Sequence, residues 1–126
     1  MCGNVRYAVA GGPGSAVYCH CSDCRRWSGG PVVVLARCST AQLRVLGEEP
    51  RSYASSPGVK RSFCGRCGTP FSYEDERLPG EIYLSIGVFD EPDIIEPGGH
   101  SWFSSKLDWL HIKDDLPRYG KSSRPR

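Results

Sequence analysis

The sequence predicts a mainly β fold of short strands gathered around bound metal, and three features carry that prediction. Fifteen glycines and ten prolines among 126 residues cut the chain into short pieces, which disfavours a helix bundle. Between them the side chains alternate apolar and polar or form brief apolar runs, the patterns of half-buried and buried strands. Seven cysteines fall largely into tight clusters, and thiols spaced this way read as metal ligands. Apolar residues make up 39% of the chain, low enough that metal cross-links are expected to supplement the core. The length fits one domain over residues 1–120, followed by a solvated basic tail at 121–126.

Taken in order, residues 5–9 alternate and read as a strand that ends at Gly11-Gly-Pro-Gly14. Residues 16–19 form a second strand running into the first cysteine cluster. A short helix is expected over 22–27, with Ser22 or Asp23 at its N-cap and Gly29-Gly30 closing it. Residues 31–36 are continuously apolar and suit a buried strand. Short strands follow at 43–46, 51–54 and 60–63, separated by Pro50 and by Pro57-Gly58. The second cluster, Cys64-Gly-Arg-Cys67, sits on a tight turn between strands. Residues 81–88 then alternate, placing Ile82, Leu84, Ile86 and Val88 on one face. An aromatic segment with Trp102, Phe103 and Trp109 completes the chain, and these rings are expected mainly in the core.

Charge and hydropathy exclude several functions. A net charge of +2 with mixed signs gives no basic stripe for nucleic acid. No stretch approaches the roughly 20 apolar residues that span a membrane. The N-terminus lacks the charged-then-apolar pattern of an export signal, and an odd thiol count does not suit a disulfide framework. A cytoplasmic, reducing location is therefore expected.

The chemistry lies in the cysteines. In an extended segment residues i and i+2 share a side, so Cys19 and Cys21 face one metal while His20 points away. The turn at Cys21-Ser-Asp-Cys24 adds a third sulfur, and no fourth ligand stands at a local spacing. Three protein ligands are the mark of an open, catalytic site, whereas structural sites are closed by four. Asp23, a histidine or Cys38 could instead close the tripod. Cys64 and Cys67 form half of a zinc knuckle and need partners from elsewhere, with Cys2 as the leading candidate. Thiolates favour zinc or iron, and iron would need four sulfurs at one centre, met at the second cluster if Cys38 joined it. Cys38 otherwise reads as a partly buried spare thiol. Arg25 and Arg26 either offset thiolate charge or bind substrate, and His20, His100 and His111 read as ordinary hydrogen-bonded residues.

The segments Cys2-Gly-Asn-Val-Arg-Tyr7, Cys19-His-Cys-Ser-Asp-Cys-Arg-Arg26 and Ser56-Pro-Gly-Val-Lys-Arg-Ser-Phe-Cys-Gly-Arg-Cys-Gly-Thr-Pro70 resemble the glutathione-dependent formaldehyde-activating enzymes and their relatives, which include centromere protein V. Gly87-Val-Phe-Asp90, Ser105-Lys-Leu-Asp-Trp109 and Asp115-Leu-Pro117 resemble the family's later motifs. The resemblance implies a β-tent, a set of short coiled antiparallel sheets organised around zinc. It implies a catalytic zinc on Cys19, Cys21 and Cys24 and a structural zinc on Cys2, Cys64 and Cys67. It also implies a carbon–sulfur lyase type of reaction, the joining of glutathione and formaldehyde as S-hydroxymethylglutathione. Two positions depart from the family pattern. A cysteine two residues before Cys2 has no counterpart, so the second site is expected to draw on a residue upstream of Met1 or on the Cys2 amine after Met1 is removed. Asp108 stands where the family often has proline.

These readings combine into one expectation. A substrate thiol occupies the open position of the Cys19 site, and Arg25, Arg26, Arg61 or Lys106 meet the carboxylates of glutathione. The rival expectation is a non-catalytic module in which both zincs are structural and the surface contacts protein or nucleic acid.

Overall fold

The computed structural model describes residues 1–124. Nine strands and one α-helix follow the order β1 (Tyr7–Val9), β2 (Ala16–Cys19), α1 (Ser22–Ser28), β3 (Val33–Ser39), β4 (Leu43–Val45), β5 (Arg51–Ser56), β6 (Val59–Phe63), β7 (Pro70–Asp75), β8 (Glu81–Ser85) and β9 (Pro97–Ser101). Seven of them form one sheet in the order β5-β6-β7-β8-β3-β2-β9, and β1 pairs with β4 as a separate ribbon. The mainly β class is as the sequence predicts. The sheet is not wholly antiparallel, however, because β9 runs parallel to β2.

Alternation along the strands sorts their side chains onto two faces. On β8, Ile82 and Leu84 pack with Cys38 and Phe71 beneath the β1–β4 ribbon, where Tyr7, Val9 and Leu43 cover them. Tyr83 points the other way and joins Cys19, Cys24, Val33 and Leu35, flanked by Trp27, Tyr73 and Trp102. Cys38 is thus a core thiol. The alternation expected through Val88 stops at Ser85, after which Ile86–Val88 forms a 3-10 turn.

The pairing register sets a row across the second face. Tyr53 opposes Arg61, Arg61 opposes Tyr73, Tyr73 opposes Tyr83, and Tyr83 opposes Arg37. Residues directly paired across strands share a face, so the cationic side chain of Arg61 stands among tyrosines on the side that holds Cys19 and Cys24.

Beyond β9 the chain lies back along that strand. The Tyr119 N–H donates to the His100 carbonyl at 2.8 Å and the His100 N–H to the Pro117 carbonyl at 2.8 Å. Trp102 N–H donates to the Lys121 carbonyl at 2.8 Å, and the Ser123 N–H to Ser101 Oγ at 2.8 Å. Of the tail expected to be solvated, residues 121–124 are thus tied to β9 and the turn after it, and Pro125 and Arg126 lie outside the described residues. Among the described residues no helix is long and apolar enough to cross a membrane.

Candidate metal centres

Two groups of three cysteines come together, Cys19 with Cys21 and Cys24, and Cys2 with Cys64 and Cys67, each with its sulfurs within 4.8 Å of one another. Among the described residues no histidine, carboxylate or further sulfur joins either group. Asp23, the histidines and Cys38 therefore do not close the first tripod. All seven thiols are free of disulfides, and sulfur-only donor sets of this compactness fit a soft or borderline divalent ion.

Local structure builds the first tripod. Cys19 ends β2, and Cys21 itself caps α1, its Sγ accepting the Cys24 N–H at 3.3 Å. Cys21 thus takes the N-cap that Ser22 or Asp23 was expected to supply, and one turn of helix then returns Cys24 to the same point. Gly29 ends the helix with φ of 74°, a left-handed conformation glycine adopts without a Cβ clash. The three thiols lie close enough to shift one another's protonation. Hydrogen bonds from Cys19 and Cys24 draw Cys21 down to about 2. Cys19, bonded to Cys21 and Cys24 and buried, is held far above the ordinary thiol value. For Cys24 the bond with Cys19 lowers the value, but the bond with Cys21 and burial outweigh it, leaving about 11.

His20 points away from the tripod and stacks on His100 of β9. Its Nε2 lies 2.9 Å from His100 Nδ1, and His100 Nε2 lies 3.0 Å from an Asp114 carboxylate oxygen. A carboxylate only accepts, so His100 Nε2 donates to Asp114; with neutral rings, His20 Nε2 then donates to His100 Nδ1. The bare His20 Nδ1 is left without a partner among the described residues. Burial first, then the nearby His100, Lys106 and Arg25, lowers His20 to about 4 and keeps its ring neutral at pH 7. The chain His20–His100–Asp114 thereby pins the Cys19–Cys21 segment to β9.

The tripod opens into a cavity of about 310 Å3. Arg61, Tyr73, Arg77, Tyr83, Trp102 and Arg124 are among the residues that line it. Trp102 is the one non-glycine residue with positive φ among those described, at 56°. Such a backbone costs on the order of 1 kcal/mol and tends to persist where surroundings impose it at a site. Arg77 forms an ion pair with the buried Asp75 at 2.7 Å, which holds the Asp75 carboxyl well below the usual carboxylate range. Arg124 pairs with Glu81, whose carboxylate also accepts from Tyr83 at 2.6 Å.

The other cations expected near the substrate do not line this cavity. Arg25 donates to the carbonyls of His20 and Ser105, Arg26 is exposed and pairs with Asp23 at 3.8 Å, and Lys106 donates to the carbonyls of Leu107 and Leu110. Of the aromatic residues, Phe103 packs edge-on against His20 and His100, while Trp109 is 66% exposed and not part of the core.

The second cluster forms at the surface. The knuckle between β6 and β7 closes with the Gly68 N–H donating to the Cys64 carbonyl at 2.8 Å. Cys2 reaches it from the N-terminal segment, its Sγ 3.6 Å from that of Cys64. The Thr69 hydroxyl lies 3.1 Å from Cys67 Sγ and lowers that thiol to about 5.

The family model described as "Glutathione-dependent formaldehyde-activating enzyme" matches residues 1–105. No curated protein matches the sequence. A crystal structure of a Rhodobacter sphaeroides protein superposes with a TM-score of 0.61 at 24% identity, covering 77% of this chain and 93% of that one. That similarity speaks to the fold alone.

Proposed function

The chain belongs to the glutathione-dependent formaldehyde-activating enzyme family, and on that premise we propose that it joins a small thiol, glutathione first, to formaldehyde or a related aldehyde. The reverse reaction is carbon–sulfur lyase chemistry. The observation that carries this reading is a largely buried tripod of three sulfurs, with no fourth protein ligand among the described residues, facing a cavity lined by Tyr73, Tyr83, Trp102, Arg77 and Arg124. The Cys2 cluster borders a smaller cavity of about 240 Å3 that lacks these residues. We assign zinc to both clusters, the first catalytic and the second, on Cys2, Cys64 and Cys67, structural. A zinc ion on the tripod supplies a means of keeping a substrate thiol in its thiolate form at neutral pH.

Cys19, Cys21 and Cys24 would hold the ion, and the cavity lies beside them. The walls from Tyr73, Tyr83 and Trp102 confine a small aldehyde beside the thiol and reduce its exposure to water. A bond forms between the thiol sulfur and the aldehyde carbon, and the proton lost by sulfur ends on the aldehyde oxygen, so no further reagent is needed. For the carboxylates of glutathione, Arg77 and Arg124 are better placed than Arg25, Arg26 or Lys106, since they line the cavity. Seven free thiols suit a reducing compartment, and we place the protein in the cytoplasm.

The test is elemental analysis joined to zinc X-ray absorption, with and without glutathione. We expect about two zinc ions per chain, one of which gains sulfur coordination when glutathione is added. Zinc environments indifferent to glutathione, with no acceleration of adduct formation followed by NMR, would sink the reading.

A further inference from the structure

We infer that Arg61 is the counter-ion of the Cys19, Cys21, Cys24 tripod, a positioning residue whose charge determines how firmly that cluster retains its metal. The inference concerns metal retention and leans on the proposed function only for the presence of an ion at the tripod.

Arg61 is a charged side chain with 4% of its surface exposed. Burying a guanidinium without a compensating anion is strongly unfavourable, so a buried arginine implies a buried partner. Among the described residues no carboxylate lies within ion-pair distance of it. Its nearest polar contact is instead Cys24 Sγ, which both Nη1 and Nη2 approach at 3.8 Å. The other cations lining the cavity have carboxylate partners, Arg77 in Asp75 and Arg124 in Glu81.

The packing favours a fixed charge over a substrate clamp. The guanidinium lies over the Trp27 ring at 5.1 Å and over the Tyr73 ring at 5.1 Å. Cation–π contacts stabilise a desolvated guanidinium in place, and its two terminal nitrogens are already turned toward sulfur. A substrate carboxylate would have to displace those contacts. The backbone supports the same geometry, because β6 holds Arg61 directly opposite Tyr73.

Charge counting gives the consequence. A divalent ion with three thiolates carries one net negative charge, and the guanidinium cancels it. Without Arg61 the loaded tripod keeps an uncancelled negative charge, and loss of metal becomes easier. A second anion, such as a substrate thiolate, would also meet a more repulsive site.

Zinc-loaded protein is titrated with a competing chelator, comparing wild type, Arg61→Gln and Arg61→Lys. Cys19→Ser and Cys67→Ser proteins identify which release phase belongs to which cluster. Arg61→Gln is expected to weaken retention at the Cys19 cluster about tenfold or more, leaving the other phase unchanged, and Lys, which keeps the charge but not the planar fork, should recover part of the loss. Equal retention in wild type and Arg61→Gln would overturn the proposal. So would a loss in Arg61→Lys as large as in Arg61→Gln, which would assign the effect to ring packing. If Arg61→Gln does not fold, Arg61→Met, an apolar stem without the charge, decides: a loss confined to the Cys19 phase supports the counter-ion, and wild-type retention overturns it. These phases are read without substrate, so they stand apart from any failure of the thiol–aldehyde reaction.

Discussion

The two cysteine clusters contribute three sulfurs each, yet their surroundings differ in almost every other respect. Cys19 and Cys24 are buried beneath a sheet face, with a helix, a histidine chain and a guanidinium around them. Cys2 is exposed, and its cluster is assembled from the N-terminal segment and a turn between β6 and β7. One strand links them, since Arg61 on β6 faces the first cluster and Cys64 follows the same strand into the second. The contrast teaches that ligand number alone does not separate a working metal site from a fastening. Both clusters border a cavity, of about 310 and 240 Å3, so what sets the first apart is the buried charge and the hydrogen bonds behind it.

The largest expected effect tests that division directly. Cys19→Ser should lower thiol–aldehyde turnover by more than about a hundredfold and remove one metal ion. Cys64→Ser should instead lower the thermal midpoint while the folded fraction keeps most of its turnover. Both are read from steady-state kinetics beside calorimetry and metal analysis. Equal kinetic losses in the two variants, at unchanged stability, would break the distinction.

His100→Ala comes next and sharpens the role of the layer behind the tripod. Both His20 and His100 are fully buried, so the substitution leaves His20 Nε2 unpaired and opens a cavity beneath β2. A loss of about 2–4 kcal/mol in denaturant unfolding is expected, together with faster metal release from the Cys19 cluster. Stability lost with that release phase unaltered would show that the histidine chain supports the sheet and not the tripod.

How much of this was legible in the sequence follows from the range of each contact. The first tripod was, because its three ligands span six residues and strand and turn periodicity place them without tertiary help. The Cys64–Cys67 turn was legible for the same reason, and Cys2 was named as its partner through a lone glycine-flanked thiol. β9 was missed because Pro-Gly-Gly-His-Ser has little strand propensity, and parallel pairing with β2 imposes its conformation. β7 was missed because it begins at a proline and mixes polar with aromatic residues. Arg25, Arg26 and Arg61 were all named as partners for glutathione carboxylates, but the approach of Arg61 to Cys24 was not read, because it spans 37 positions and depends on the fold. A positively charged residue at an inward strand position was the available signal.

Asp75 gives the third test, because it anchors two residues of the tripod cavity's wall, Arg77 and Tyr73. Arg77 and the Tyr73 hydroxyl hold its carboxylate, so its value in the folded state is below the ordinary 3.8. A depressed folded value means the stabilisation is complete above the unfolded value and is lost as pH falls through the folded one. Asp75→Asn is therefore expected to cost about 1–2 kcal/mol at pH 7. The gap between the two proteins should stay constant down to about pH 5 and shrink below about pH 4. Comparing the proteins at each pH cancels the acid-driven metal loss they share. A gap that does not narrow in acid would show that the carboxylate charge contributes nothing to holding Arg77 and Tyr73.

The smallest expected effect belongs to the second cluster. Gly68 follows Cys67 with φ of 76°, and a Cβ added there would meet no atom within 4 Å. Gly68→Ala therefore isolates backbone strain from crowding, with an expected cost of about 1 kcal/mol in unfolding. Because the Gly68 N–H closes the knuckle on the Cys64 carbonyl, that strain falls on the second cluster and leaves the cavity untouched. Turnover of the folded protein should match wild type while the second metal is released sooner. A fall in turnover at full occupancy of both clusters would mean that strain passes along β6 to Arg61, and the two sites would then have to be treated as one unit.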